Sequence, residues 1–388
     1  MPAISLCSYT YNDARLLHGL LASVTRWTVQ PDEIVLVDDG SKVSFTVSGE
    51  ESAQLPLRCT RLPKNKGFRT AKHIGISAAT GDIIVSVDCD SRLHPNFLAC
   101  AVERLRDPTI GLMGGCSGLS LNKDILSTYL NIFGDLVYSA CSGDVAFICG
   151  TAFALRREVW EKTGGFSGFS GRVCEDHYLC QTIKANGYRL FLDNRTHVLH
   201  ARRLTRHAFC RRIWQWCGAA WLRELRPDRS LPEHFQRYFL NPILARCATI
   251  IQRFPQEYLY LELLQIASLA FDFCNSLSAS GRIPSSSGET LRKILWGALS
   301  PYPKLHRLLK TDLMRAGAFS SEGMFKVGNT KNGPVAHSEW MSAFAFLDTF
   351  ADAGLLQWLE DTGVRRIVED EAVLDADYSA YAEGVCGM

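Results

Sequence analysis

The sequence has no C-x-x-C pair, although it holds 14 cysteines in 388 residues. That spacing argues against a cysteine zinc site. The cysteines sit in apolar contexts, such as Val173-Cys174, Phe209-Cys210 and Phe273-Cys274, and read as small buried hydrophobes of a reduced chain. A long apolar run is missing too. The most apolar stretch, Tyr258 to Phe273, is interrupted by Glu262, Gln265 and Asp272, which suits a buried amphipathic helix better than a membrane span. The N-terminal MPAISLCSYTYND has neither a basic region nor the sustained apolar segment of a secretory leader. The expected location is the cytoplasm, with any membrane contact peripheral and at the inner face. Charge of one sign is not in excess: 42 basic and 40 acidic residues leave a net +2, which gives no reason to expect a nucleic-acid partner. No glycine-rich phosphate loop opens the chain, and Gly164, Gly165, Gly168 and Gly171 form no dinucleotide fingerprint.

What is present is an ordinary globular composition, 47% apolar and 21% charged, on a chain long enough for two or three domains. Residues 3–200 alternate short apolar runs with helical spacing. AISLCSY (3–9), EIVLVDDGS (33–41) and DIIVSV (82–87) read as strands. Leu16, Leu17, Leu20, Leu21 and Val24 mark one helix, and residues 69–79 another. This βαβαβ rhythm predicts an α/β fold, a mostly parallel sheet with helices on both faces. Beyond about residue 225 the patterns are helical. RPDRSLPEH (226–234) reads as a linker or helix start, SASGRIPSSSG (278–288) as a loop, and Trp340, Phe344, Leu347 and Phe350 as one core-facing stripe. Two domains are expected, 1–225 and a mainly α-helical 230–388. Charge is uneven along the chain: eight arginines lie between Arg202 and Arg229, while the last 29 residues hold eight acids and two arginines.

In open α/β sheets, ligands bind beyond the carboxyl ends of the strands. Tyr9-Thr10, Asp38-Asp39 and Asp88-Asp90 all fall at such ends. Asp88 and Asp90 are spaced so that two carboxylates can reach one hard divalent cation. Several segments then match one family in its order: SYTYN (8–12), VDDGS (37–41), NKGFRTAKHIGISAATGD (65–82), VDCDS (87–91), CGTAFALRREVWEKTGGF (149–166), CEDHYLCQTIKANGY (174–188) and VLH (198–200). Over residues 3–216 the chain resembles the family 2 glycosyltransferases, inverting enzymes of the GT-A fold that use nucleotide-sugar donors.

The resemblance implies a role for each matched position. Tyr9, Thr10, Tyr11 and Asp39 lie where the family holds the nucleotide base; a carboxylate accepts the imide N–H of uracil, which favours a UDP-linked donor. Lys72 matches a basic residue that pairs with base or phosphate, and is otherwise a solvated helix charge. Asp88 matches the acid that contacts the ribose. Asp90, with Asp88 and His200, would hold Mn²⁺ or Mg²⁺ on the diphosphate. Cys89 lies within the same motif. Gly150 and Thr151 lie beneath the donor sugar. Asp176, beside Glu175, would be the general base that an inverting transfer requires. The implied acceptor is a glycan or lipid-linked hydroxyl, and the implied class is a hexosyl- or hexosaminyltransferase. The Q-x-x-R-W signature of processive, membrane-embedded relatives is absent: Gln215-Trp216 has no Arg-Trp after it. The basic run HARRLTRHAFCRR (200–212) suits closing over a diphosphate, facing an anionic membrane, or simply a solvated helix face. Two other readings stand beside this one, a sugar nucleotidyltransferase and a non-catalytic nucleotide- or glycan-binding module.

Overall fold

The computed structural model describes residues 1–133, 142–171, 174–212, 230–320, 334–336, 338, 346–352 and 354–371. The expected domain boundary at 225–229, the Gln215-Trp216 pair, and Trp340 and Phe344 of the aromatic stripe lie outside them. The chain forms two compact units. One comprises residues 1–122 and 130–203; the other comprises 123–129 and the residues from 204 onward.

The first unit is built on a nine-stranded mixed sheet. Its strands are β1 (Ile4–Thr10), β2 (Glu33–Asp38), β3 (Leu57–Arg61), β4 (Ile83–Val87), β5 (Ser91–Leu93), β6 (Ile110–Ser120), β7 (Gly143–Asp144), β8 (Ala152–Arg156) and β9 (Arg189–His200). The order is β3-β2-β1-β4-β8-β6-β9-β5, with β7 also paired to β9. The half made of β3, β2, β1 and β4 is parallel, as the βαβαβ rhythm predicts. β8 then runs antiparallel to both β4 and β6.

Alternation along the strands fills both faces. On one face Ile4, Leu6, Ile34, Leu36, Val85 and Val87 pack with Leu17, Leu20 and Leu21 of α1 (Ala14–Val24) and Phe97 and Leu98 of α4 (Phe97–Arg104). On the other, Cys7, Val35, Ile84, Phe153 and Leu155 pack with Ile76 of α3 (Phe68–Ala78), Val159 and Trp160 of α6 (Arg157–Thr163), and Leu179 and Ile183 of α7 (Glu175–Ala185). Truncating any of these buried leucines to alanine costs about 2–5 kcal/mol. The expected α/β architecture, with helices on both faces of the sheet, is therefore present. The short α2 (Gly49–Gln54) and the helix α5 (Ile125–Phe133) complete the helices before α6.

The second unit is helical, as expected from residue 230 on. Ser230 starts α8 (Leu231–Phe235) with a capping box, its hydroxyl accepting from Glu233 N while Glu233 reaches back to Ser230 N. A π turn over Gln236–Leu240 leads into α9 (Asn241–Arg253). α10 (Tyr258–Ala279) is buried on nearly every side and packs against α9, α11 (Ser287–Ala298) and α12 (Pro303–Ala316). Two short helices follow, α13 (Phe346–Asp352) and α14 (Leu355–Trp358); Leu347 and Phe350 of the expected stripe are buried there. Glu262, which breaks the apolar run of α10, receives Arg246 at 2.8 Å and the Tyr129 hydroxyl at 2.7 Å. Among the described residues no helix is long and apolar enough to cross a membrane.

Candidate active site

The matched segments gather at one edge of the sheet, where β1, β2 and β4 end and β8 and α7 begin. Thr10 is in register with Asp38, and the Asp39 amide donates to the Thr10 carbonyl at 2.9 Å, which ties the first two strand ends together. Gly40 follows with φ +70°, and a Cβ there would stand 2.5 Å from the Lys64 carbonyl carbon, so only glycine fits this turn. Burial raises the Asp38 pKa, but hydrogen bonds from Ser41 and Phe45 and the Arg61 charge outweigh it and hold the carboxyl below its ordinary value.

Lys72 is the centre of the site. It lies on α3 and is buried, not solvated. Its Nζ donates to the Gly150 carbonyl at 2.8 Å and stands 3.1 Å from Asp88 Oδ1 and 3.4 Å from Glu175 Oε1. Burial alone would favour the neutral amine. Asp88 and Glu175 more than reverse that and raise the Lys72 pKa above its ordinary value. Asp88 also accepts from the Tyr9 hydroxyl at 3.1 Å, and Lys72 sits over the Tyr9 ring at 5.6 Å from its centroid. Burial raises the Asp88 pKa; Lys72 opposes the rise and Asp90 adds to it.

Gly150 connects this cluster to the expected base. Its carbonyl holds Lys72, and its amide donates to Asp176 Oδ2 at 2.9 Å. A Cβ at Gly150 would meet Asp176 Cβ at 3.0 Å and Glu175 Oε1 at 3.3 Å, a tight contact that would push on the start of α7. Asp176 Oδ1 accepts from the His177 amide at 2.8 Å, so the first turn of α7 fixes the carboxylate through backbone donors. Cys174, just before α7, has φ +69°, and Asn12, just after Tyr11, has φ +58°. They are the two non-glycine residues with positive φ among the described residues, and both border this site.

The other expected residues are placed as follows. Asp39 is buried, and its two oxygens accept from the Lys66 and Gly67 amides at 2.7 and 2.9 Å; an incoming base N–H would share oxygens that already hold the loop entering α3. Thr10 is buried, and Tyr11 is exposed. Thr151 is buried, and its carbonyl receives the Asp88 amide at 2.9 Å. Cys89 turns the other way. It lies in the apolar cluster with Val85 and Val87, because side chains alternate along the strand and its exit, so its thiol does not line the site. His200 is in register with Ser91, on the strand face that Val198 and Leu93 share, and the next amide, Ala201, donates to the Asp90 backbone carbonyl at 2.7 Å. His197 meets His94 edge-on, with centroids 6.1 Å apart.

Two residues not singled out from the sequence complete the network. Arg202 donates from Nε to Asp90 Oδ2 at 2.7 Å and from its terminal nitrogens to both oxygens of Asp13. The basic run around Arg202 was the available signal; Asp13 had none. These contacts set five carboxylates (Asp13, Asp88, Asp90, Glu175, Asp176) against two cations, Lys72 and Arg202. Among the described residues no three His, Cys, Asp or Glu side chains form a ready metal cage. The donor type nonetheless fits a hard divalent cation, which takes one or two carboxylates and completes its shell from phosphate and water.

Residues 5–164 match the family model for Glycosyl transferase family 2. Over these residues the chain is similar to that family. Among curated relatives, an N-acetylglucosaminyltransferase of Sinorhizobium fredii is 26% identical over 209 residues, covering 48% of this chain and 50% of the relative. A glycosyltransferase of Bacillus subtilis, YwdF, is 34% identical over 95 residues, 24% of this chain and 35% of that protein. The chain thus spans between about a third and a half of the length of these relatives. Among solved structures, the mannosyltransferase PcManGT of Pyrobaculum calidifontis, in complex with GDP-Man and Mn²⁺, aligns at a TM-score of 0.43 and 21% identity over 84% of this chain and 87% of its own.

Proposed function

We propose that the protein transfers a sugar from a nucleotide-sugar donor, favouring a UDP-linked one, to a hydroxyl of a glycan or lipid-linked acceptor, with inversion at the anomeric carbon. One observation carries the reading. Gly150 holds Asp176 through its amide and Lys72 through its carbonyl, and Lys72 holds Asp88. The carboxylate that would act on the acceptor is thereby fixed one residue away from the groups that would bind the donor. The family match over residues 5–164 and the names of the relatives support the same class of reaction.

Asp176 takes the proton of the acceptor hydroxyl as it attacks. Its oxygens receive two backbone amides, so its orientation is set before substrate arrives. Lys72 opposes the effect of burial on the Asp88 carboxyl and holds it beside Tyr9. Glu175 is buried against Lys72 and acts on that lysine, not on the sugar. Asp88 and Asp90 would hold a divalent cation, Mn²⁺ or Mg²⁺, which when bound neutralises charge developing on the diphosphate leaving group. A single displacement is favoured because the sugar-side segment CGTAF (149–153) carries no acid to act as nucleophile.

The test needs no acceptor. Slow hydrolysis of UDP-N-acetyl-α-glucosamine followed by proton NMR should show the β-anomer of the free sugar first, before mutarotation. Initial release of the α-anomer would overturn the mechanism.

A further inference from the structure

Asp13 breaks a local rule. It occupies the N-cap position of α1, where an aspartate ordinarily accepts a helix amide, yet its side chain makes no cap hydrogen bond. It forgoes the capping contact that stabilises most helix starts. Its two oxygens instead take Arg202 at 3.2 and 2.8 Å. The same guanidinium gives its Nε to Asp90 Oδ2 at 2.7 Å. One planar fork thus joins the start of α1 to the second acid of the D-x-D segment, a bridge that a point-charge ammonium does not reproduce.

We propose that Arg202, anchored by Asp13, is an internal cation that competes with the divalent ion for Asp90. The inference rests on the reading that this acid cluster takes a divalent cation with the nucleotide. A cation on Asp90 Oδ2 at about 2.0–2.6 Å would draw on the same oxygen that now accepts from the guanidinium and weaken it as an acceptor. At that separation the two positive charges also repel. With the site empty of ligand, Arg202 compensates Asp90 and disfavours binding of a lone ion. When the ion arrives with a diphosphate, Asp90 changes partner and Asp13 retains the guanidinium. Arg202 and Asp13 are positioning residues in this account; neither touches the reacting atoms.

The measurement is a Mn²⁺ titration of the nucleotide-free full chain, with free Mn²⁺ read by electron paramagnetic resonance. Arg202→Gln should bind Mn²⁺ more tightly than wild type, by on the order of tenfold, because a charge competitor is gone. A merely structural lesion would move the affinity the other way. Arg202→Lys, which keeps the charge and loses the fork, should fall between them. Should Arg202→Gln fail to fold by circular dichroism, an Arg202→Lys affinity equal to or weaker than wild type overturns the proposal. So does equal, weaker or undetectable Mn²⁺ binding by a folded Arg202→Gln. A separate calorimetric titration with UDP tests the functional reading itself: absence of UDP binding with and without metal would sink that reading whatever the Mn²⁺ result.

Discussion

Buried charge is handled differently in the two units. In the helical unit the acids meet arginines within the helical packing: Asp312, which also accepts from the Tyr260 hydroxyl, shares Arg206 with Glu371; Glu262 takes Arg246 and the Tyr129 hydroxyl; and Glu257 takes Arg366. In the α/β unit the sheet edge instead collects five carboxylates around two cations. Pairings of the first kind are a way to fill an interior whose residues need each other. Acids gathered at strand ends and sharing their cations cost stability, and a cationic ligand would offset that cost.

The largest expected effect separates chemistry from binding within the α/β unit. Asp176→Asn is nearly isosteric and keeps an acceptor for the Gly150 amide, so donor binding should survive. Turnover should fall by about 10²–10⁴, the usual worth of a general base. Parallel measurements of donor affinity and initial rate check this, and full turnover would remove Asp176 from its role.

Next in size is the central cation. Lys72→Met leaves Asp88 and Glu175 facing each other without a counter-charge in a buried site. The loss should be about 3–5 kcal/mol, the ordinary consequence of removing one partner of a buried pair. Denaturant titration of the variant measures it. A loss below 1 kcal/mol would mean that the cluster is better solvated than its burial indicates.

The helical unit should respond in the opposite way. Replacing Arg246, Glu262 and Tyr129 together with Leu, Leu and Phe removes both charges and the hydroxyl that joins them, and such replacements are often neutral or stabilising by about 1–4 kcal/mol. A strongly destabilised triple variant would erase the contrast between the units.

A pH dependence follows from Asp193 in the α/β unit. Burial opposes its ionisation, but hydrogen bonds from Arg195 and Arg104 hold its carboxyl far below the ordinary value. A carboxylate with a depressed folded pKa stabilises fully above its unfolded pKa, about 3.9, and loses that contribution as pH falls below it. Stability should therefore decline from about pH 4 downward, and Asp193→Asn should flatten that decline in acid melts. The smallest effects should be alike in both units: Ser48→Ala and Ser230→Ala each remove a capping box and should cost about 1 kcal/mol.

The parts of this arrangement legible in the sequence are those with a period or a motif. Alternating strands, the spacing of α1, the D-x-D pair and the Glu175-Asp176 step were readable because local rules leave local patterns. The helical character beyond residue 230 was readable for the same reason. The partners of each charge were not. Lys72 looks like any solvated helix lysine until α3 is packed on β1 and β2 and its side chain reaches Gly150 and Glu175. Cys89 was grouped with its neighbours, although alternation alone sends it into the core. Asp39 reads as a base-binding acid, while its contacts with the Lys66 and Gly67 amides exist only once a 27-residue separation is closed. The Asp13–Arg202 bridge spans 189 residues, and no spacing rule reaches that far.

The most direct test of the central claim is a calorimetric titration of UDP into the full chain with Mn²⁺, repeated with excess EDTA and with Asp90→Asn. The account predicts saturable one-site binding that EDTA and Asp90→Asn both abolish or greatly weaken. Binding that ignores EDTA, or a wild-type chain that binds no nucleoside diphosphate under any of these conditions, would contradict it.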